Sequence, residues 1–133
     1  MTTNHDIETI LRSELQFGYQ DAHLEINLAE KIAFLDSRRL ALTRKERELL
    51  FILVENAGEI VPREVLLMRV WGYGAGIRTR TLDVHVRRLR KRLGSYSRQY
   101  IETIFGIGYR FQPFRTHRRI QPGALVSEIA LTA

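Results

Sequence analysis

An α+β fold is predicted, with an N-terminal antiparallel sheet, three helices and a C-terminal β-hairpin. Three observations carry this. Apolar residues alternate with polar ones across residues 23–42, then fall at helical spacing from Leu49 onward. A change of period from 2 to 3.6 marks a change from strand to helix. Three helical stretches follow, each closed by a glycine, at Gly58, Gly72 and Gly94, where a left-handed residue ends helices. Last, residues 100–104 and 109–111 read as strands on either side of Phe105-Gly106-Ile107-Gly108, and glycines in so short a connection favour a hairpin.

Each element has its own signature. Ile7, Ile10, Leu11 and Leu15 give residues 5–17 the spacing of an amphipathic helix. A helix packed on its own domain and a partner-binding segment are both open there. Leu24, Ile26 and Leu28 alternate with polar residues, followed by Ile32, Phe34, Leu40 and Leu42. With turn chemistry at 27–31 and at Asp36-Ser37, this reads as two or three short strands with one buried face. Thr43-Arg44-Lys45-Glu46 is a capping box: the hydroxyl accepts from the third helical amide while the glutamate reaches back to the cap amide. It opens a helix over 44–57 with Leu49, Leu50, Leu53, Val54 and Ala57 on its buried stripe. Glu59-Ile60-Val61 is a short extended piece. Pro62 is expected to begin the second helix, where a missing amide costs nothing, with Leu66, Leu67, Val70 and Trp71 inward. Tyr73-Gly74-Ala75-Gly76 is a loop by composition.

The third helix is expected over 79–93. At about 100° per residue, Leu82, Val86, Leu89 and Leu93 form one narrow stripe. Arg80, Val84, Arg87, Arg88 and Lys91 lie opposite, flanked by His85 and Arg90. Residues 1–22 are read as an extension, 23–112 as the domain, and 113–133 as a tail with a short helix at 125–131.

Of 133 residues, 44% are hydrophobic, enough for a packed core, and none is cysteine. Disulfides, thiolate metal sites and a cysteine nucleophile are excluded. The longest apolar runs, 49–54 and 65–68, fall far short of the roughly 20 residues that span a bilayer, and the first residues lack the pattern of a signal peptide. No membrane partner and a cytoplasmic location are expected. The net charge of +6 is concentrated. Arg78, Arg80, Arg87, Arg88, Arg90, Lys91 and Arg92 are opposed within their segment only by Asp83, and the rest of the chain is neutral. A focused basic patch suits a specific acidic partner, of which the DNA backbone is the commonest.

Three helices, the third basic, followed by a hairpin, are the order of a winged helix-turn-helix. One side of the third helix packs on the first two; the other is free to enter a major groove about 12 Å wide. Edge cations then meet phosphates and central side chains meet base edges. Arg88 suits a bidentate pair with guanine, and Val84, apolar on a basic face, suits a thymine methyl. A merely solvated basic face is the bland alternative. A winged helix that binds polymerase or another regulator through the same helix is the competing function.

The residues also resemble a known family. Leu42-Thr43-Arg44-Lys45-Glu46, Val70-Trp71-Gly72, the stretch from Arg80 to Arg90, and Gly106-Ile107-Gly108-Tyr109-Arg110 are similar, in collinear order over about 23–112, to the OmpR/PhoB-type winged-helix effector domain of bacterial response regulators. The resemblance implies base contacts from Thr81, Val84 and Arg88. It implies backbone contacts from Trp71, Arg80, His85, Arg87, Arg90 and Thr103, with Lys91 joining them, and a wing carrying Phe105 and Arg110. It also implies a polymerase-facing loop over 73–78, containing Tyr73, Gly74, Ala75 and Gly76. Binding to tandem direct repeats as a head-to-tail dimer is expected. Three departures stand out. Phe105 replaces the usual wing arginine and is left to pack on sugar, wedge or join the core, packing being favoured. Pro62 replaces a serine or threonine cap. Residues 1–22 are too few for a receiver domain, so a stand-alone regulator and an excised domain are both open.

Other chemistry finds little support. His5, His23, His85 and His117 are scattered without metal-ligand spacing. The glycines of 72–76 follow a helix and lack Gly-Lys-Ser/Thr, unlike a phosphate loop. No Ser/His/Asp grouping stands out. Neither catalysis nor a cofactor is expected.

Overall fold

A computed structural model describes residues 18–114; the helices expected over 5–17 and 125–131 lie outside the described residues. The chain divides into two compact units, with the break after Leu40.

The first unit contains a four-stranded antiparallel sheet in the order β1 (Tyr19–Gln20), β2 (Leu24–Asn27), β3 (Ile32–Leu35), β4 (Arg38–Arg39). Its alternation is the expected one: Leu24 and Ile26 are fully buried and Glu25 between them is exposed. The sheet starts earlier than the alternation suggested. Tyr19 pairs with Ile26, and the Asp21 carboxylate accepts from the His23 and Leu24 amides, both at 2.8 Å, to close the turn. Asp36 and Ser37 both have positive φ, the two-residue hairpin geometry that matches strand twist. Leu40 and Leu42, expected in a strand, lie beyond β4.

The second unit, Ala41–Phe114, holds the winged helix. Helix α1 (Arg44–Glu55) opens with the capping box complete: the Thr43 hydroxyl accepts from the Glu46 amide at 3.2 Å, and Glu46 Oε1 accepts from the Thr43 amide at 3.1 Å. Strand β5 (Ile60–Pro62) leads into α2 (Arg63–Trp71), and α3 (Thr81–Leu93) follows the loop. Strands β6 (Ile101–Ile104) and β7 (Gly108–Phe111) form the hairpin, and β5 completes a three-stranded antiparallel sheet in the order β5-β7-β6.

Four boundaries differ from the sequence reading. The first helix ends at Glu55, with Asn56 as its cap, rather than at 57. Pro62 does not begin the second helix; it is the cap residue, with ψ 148°, and its backbone is still paired opposite Gly108 in the sheet. The third helix starts at Thr81 rather than at 79, because the Thr79 hydroxyl accepts from the Thr81 amide at 3.1 Å, a local bond that competes with helix. Between Gly94 and the hairpin lie a 3-10 turn (Gly94–Tyr96) and a one-turn helix, α4 (Ser97–Tyr100). Tyr100, read as strand, therefore ends a helix; it is fully buried and stacks on Phe111 at 5.4 Å between ring centroids.

The core of the second unit is drawn largely from its helices: Leu49, Leu50 and Leu53 of α1, Leu66 of α2, and Leu82, Val86, Leu89 and Leu93 of α3 are essentially inaccessible. Burying each such side chain stabilises the fold by about 1.5–3 kcal/mol, which fixes the rotation of α3 about its axis.

Candidate nucleic-acid interface

That rotation decides which side chains α3 presents. With its four apolar residues inward, Arg80, Val84, Arg87, Arg88 and Lys91 are exposed. Val84 is 40% exposed on this otherwise cationic surface, as its phase required. Thr81 sits at the first turn, half-buried, its hydroxyl 2.8 Å from that of Thr79.

The flanks of α3 are bonded within the protein. His85 Nδ1 lies 2.8 Å from the Thr81 carbonyl, which only accepts, so Nδ1 carries the proton. The His85 ring meets Trp71 edge-on at 4.9 Å, and Lys45 Nζ, 5.9 Å from the Trp71 ring, donates to the Val70 carbonyl at 2.6 Å. Arg92 Nε approaches the buried Glu46 carboxylate at 3.6 Å. Arg90 is not a free surface cation: its guanidinium donates to the Ile101 carbonyl at 2.9 Å and to Thr103 Oγ1 at 2.7 Å, and lies over the Tyr109 ring. Arg90 and Thr103, expected to reach phosphate, thus bond to each other and join α3 to β6.

A second junction went unseen in the sequence. Arg63, the first residue of α2, donates to both carboxylate oxygens of Asp83, at 2.5 and 3.2 Å, and the Tyr109 hydroxyl donates to Asp83 Oδ1 at 2.6 Å. The Arg63 hydrogen bonds hold the Asp83 carboxyl below the usual carboxylate range, and Asp83 in turn raises Arg63. Burial, with help from Asp83, pushes the Tyr109 hydroxyl up to about 12. The available signal was Asp83 itself, the lone acid in the basic run.

At the wing tip the Ile107 amide donates to the Ile104 carbonyl at 3.0 Å, and Gly106 takes φ +76°. Phe105 stands at the corner of this turn, 91% exposed. It does not join the core, because it lies beyond the last ladder pair, Ile104 with Gly108. Ile107 beside it is 51% exposed. Arg110 is paired across the hairpin with Glu102 at 2.8 Å, and Arg110 together with Gln112 holds that carboxyl below its usual range. The loop after α2 leaves through left-handed Gly72, whose amide donates to the Met68 carbonyl at 2.8 Å. Tyr73 is half-buried, while Gly74, Ala75, Gly76, Ile77 and Arg78 are exposed.

Comparison with known proteins places this geometry. The family described as transcriptional regulatory protein, C terminal, matches residues 37–111, more than half of the chain. The chain belongs to this family. It is an OmpR/PhoB-type DNA-binding domain of the kind found in response regulators. The response regulator ArlR of Staphylococcus aureus is 36% identical over 113 residues, which cover 78% of this chain and 52% of ArlR. A transcriptional regulatory protein of Bacillus subtilis, YclJ, is 47% identical over 70 residues, 53% of this chain and 31% of YclJ. The chain therefore spans about half the length of ArlR and a third of YclJ. Among solved structures, the DNA-binding domain of Klebsiella pneumoniae RstA, in complex with the RstA box, has a TM-score of 0.65 at 29% identity, covering 71% of this chain and 96% of that one. The Thermotoga maritima OmpR/PhoB homologue DrrB has a TM-score of 0.63 at 37% identity, covering 71% and 44%. Among the described residues, no helix of this OmpR/PhoB-type domain is long and apolar enough to cross a membrane.

Proposed function

We propose that this domain regulates transcription by binding specific sites in double-stranded DNA, with α3 in the major groove. The observation that carries the reading is the two-sided character of α3: four apolar side chains fixed in the core, and opposite them an exposed surface of cations around one valine. A helix about 10–12 Å across fits a groove about 12 Å wide. In this reading Thr81, Val84 and Arg88 meet base edges, while Arg80, Arg87, Lys91, His85 and Trp71 meet the phosphate backbone. The RstA domain, solved in complex with its box, supports duplex DNA as the partner.

The finer assignments extend this reading along the lines of the family resemblance. The wing 100–111, with Arg110 braced by Glu102, lies near the minor groove, and Phe105 packs there on sugar or between bases. The exposed loop 73–78 faces RNA polymerase. Two copies bind tandem direct repeats head to tail, in the bacterial cytoplasm. We take residues 23–112 as the functional domain.

The test is selection from randomised duplexes followed by a salt series. A regulator enriches one site, and its affinity falls with salt at about 0.9 log units per phosphate neutralised. Failure to enrich any site, with binding retained to an acidic protein surface, would favour the protein-interaction reading instead.

A further inference from the structure

We infer that Asp83 is a positioning residue that sets sequence specificity by fixing the wing's orientation against α3; this rests on the DNA-binding reading above. On the groove helix an acid is an electrostatic cost, since it repels phosphates. Its bonds show what offsets that cost. Both carboxylate oxygens are taken by Arg63 and one also by the Tyr109 hydroxyl of β7. Arg63 is tied to the wing as well, its amide donating to the Ile107 carbonyl at 2.9 Å. Seven residues on, Arg90 bonds to Ile101 and Thr103 of β6 and lies over the Tyr109 ring.

Asp83 and Arg90 lie two turns apart on the same side of α3, a rise of about 10.5 Å. One attachment would fix a distance. Two, to the two strands of one hairpin, fix an angle. The helix and the wing then approach DNA as one body, and a site must satisfy both at once. Freed of the Asp83 attachment, α3 keeps only its Arg90 bonds to the hairpin, its angle to the wing loosens, and the best site loses more than a random one.

The charge of Asp83 makes this separable from simpler roles. Replacing it with Asn keeps the shape and removes one negative charge from the face. Electrostatics alone then raises binding to every duplex. Loss of fold lowers binding to every duplex. Loss of positioning lowers binding to the selected site while binding to random duplex stays level or rises.

The experiment measures the full chain against the duplex enriched by selection and against a random-sequence duplex of equal length, with circular dichroism as the fold control. For Asp83→Asn the specific-to-random ratio is expected to fall about tenfold, the scale of losing hydrogen bonds to a charged group. Tyr109→Phe removes one of these bonds without changing charge; its ratio should fall several-fold with random binding unchanged. Proportional changes on both duplexes, or a Tyr109→Phe variant with its full preference, would overturn the inference. A wild-type chain with no preferred duplex would instead overturn the DNA-binding reading itself.

Discussion

Gly108→Ala is a severe test of how the wing is held. A Cβ built at Gly108 lies 2.0 Å from the Val61 carbonyl oxygen and 2.9 Å from both Pro62 Cα and the Val61 carbonyl carbon. Ordinary contact begins near 3.4 Å, so strand β5 must retreat by more than an ångström. The obstructing atoms are backbone, held in the ladder of β5 on β7, and no side-chain rotation relieves them. Retreat strains or breaks the bonds at this end of the ladder, together with that from the Arg63 amide to the Ile107 carbonyl. Each is worth about 1 kcal/mol net, and overpacking costs about 1–3 kcal/mol. A loss of about 3 kcal/mol is expected, a large share of the roughly 5–15 kcal/mol that a domain has. Gly106→Ala is the control. Nothing lies within 4 Å of its added Cβ, but its φ is +76°, so only backbone strain of about 1–2 kcal/mol applies. Urea denaturation with a common m-value measures both. A Gly108→Ala loss below about 1 kcal/mol, or equal to that of Gly106→Ala, would refute steric approach as the reason for glycine there.

Three further outcomes are expected. Arg88→Ala should cost roughly 1–3 kcal/mol on the selected site and relax one base position, whereas Arg87→Ala should weaken all duplexes alike and lower the salt slope by about one; selection and salt titration of each variant separate them. The Asp83 carboxyl is held low in the native state, so its stabilisation is present above the ordinary Asp range, near 3.9, and is lost as pH falls through its depressed native value; Asp83→Asn should flatten that acid limb in denaturation measured across pH. Tyr109 is raised to about 12 from about 10 in an unfolded chain, so its stabilisation is present below pH 10 and is lost as pH rises toward 12; Tyr109→Phe should remove that alkaline loss.

Periodic features were legible in the sequence because they are local. The phase of Leu82, Val86, Leu89 and Leu93 gave the buried side of α3, and the capping box gave the start of α1 to the residue. What escaped depends on tertiary neighbours. Glu59-Ile60-Val61 reads as extended, but nothing near it says that β5 pairs with β7. That pairing keeps Pro62 in the sheet and moves the start of the second helix to Arg63. Tyr100 carries the aromatic character of a strand residue, yet burial against Phe111 holds it at the end of a helical turn. The Asp83 junction joins residues 20 and 26 positions apart, beyond any periodic signal.

The cations show the same limit in a form that bears on function. In the sequence, the seven between Arg78 and Arg92 are equivalent units of charge. Packing sorts them. Arg90 is drawn into the wing by Ile101 and Thr103, and Arg92 leans toward buried Glu46. Arg78, Arg80, Arg87, Arg88 and Lys91 are exposed, as is Arg92 despite that approach, and in the proposed reading Arg88 meets a base. Charge concentration thus points to a nucleic-acid partner, but the sequence alone does not show which of these cations are already bonded within the protein. Arg90, expected at phosphate, is one of the two side-chain attachments of α3 to the wing. Part of the charge excess builds the junction of α3 with the wing, and the remainder is what the proposed reading offers to DNA.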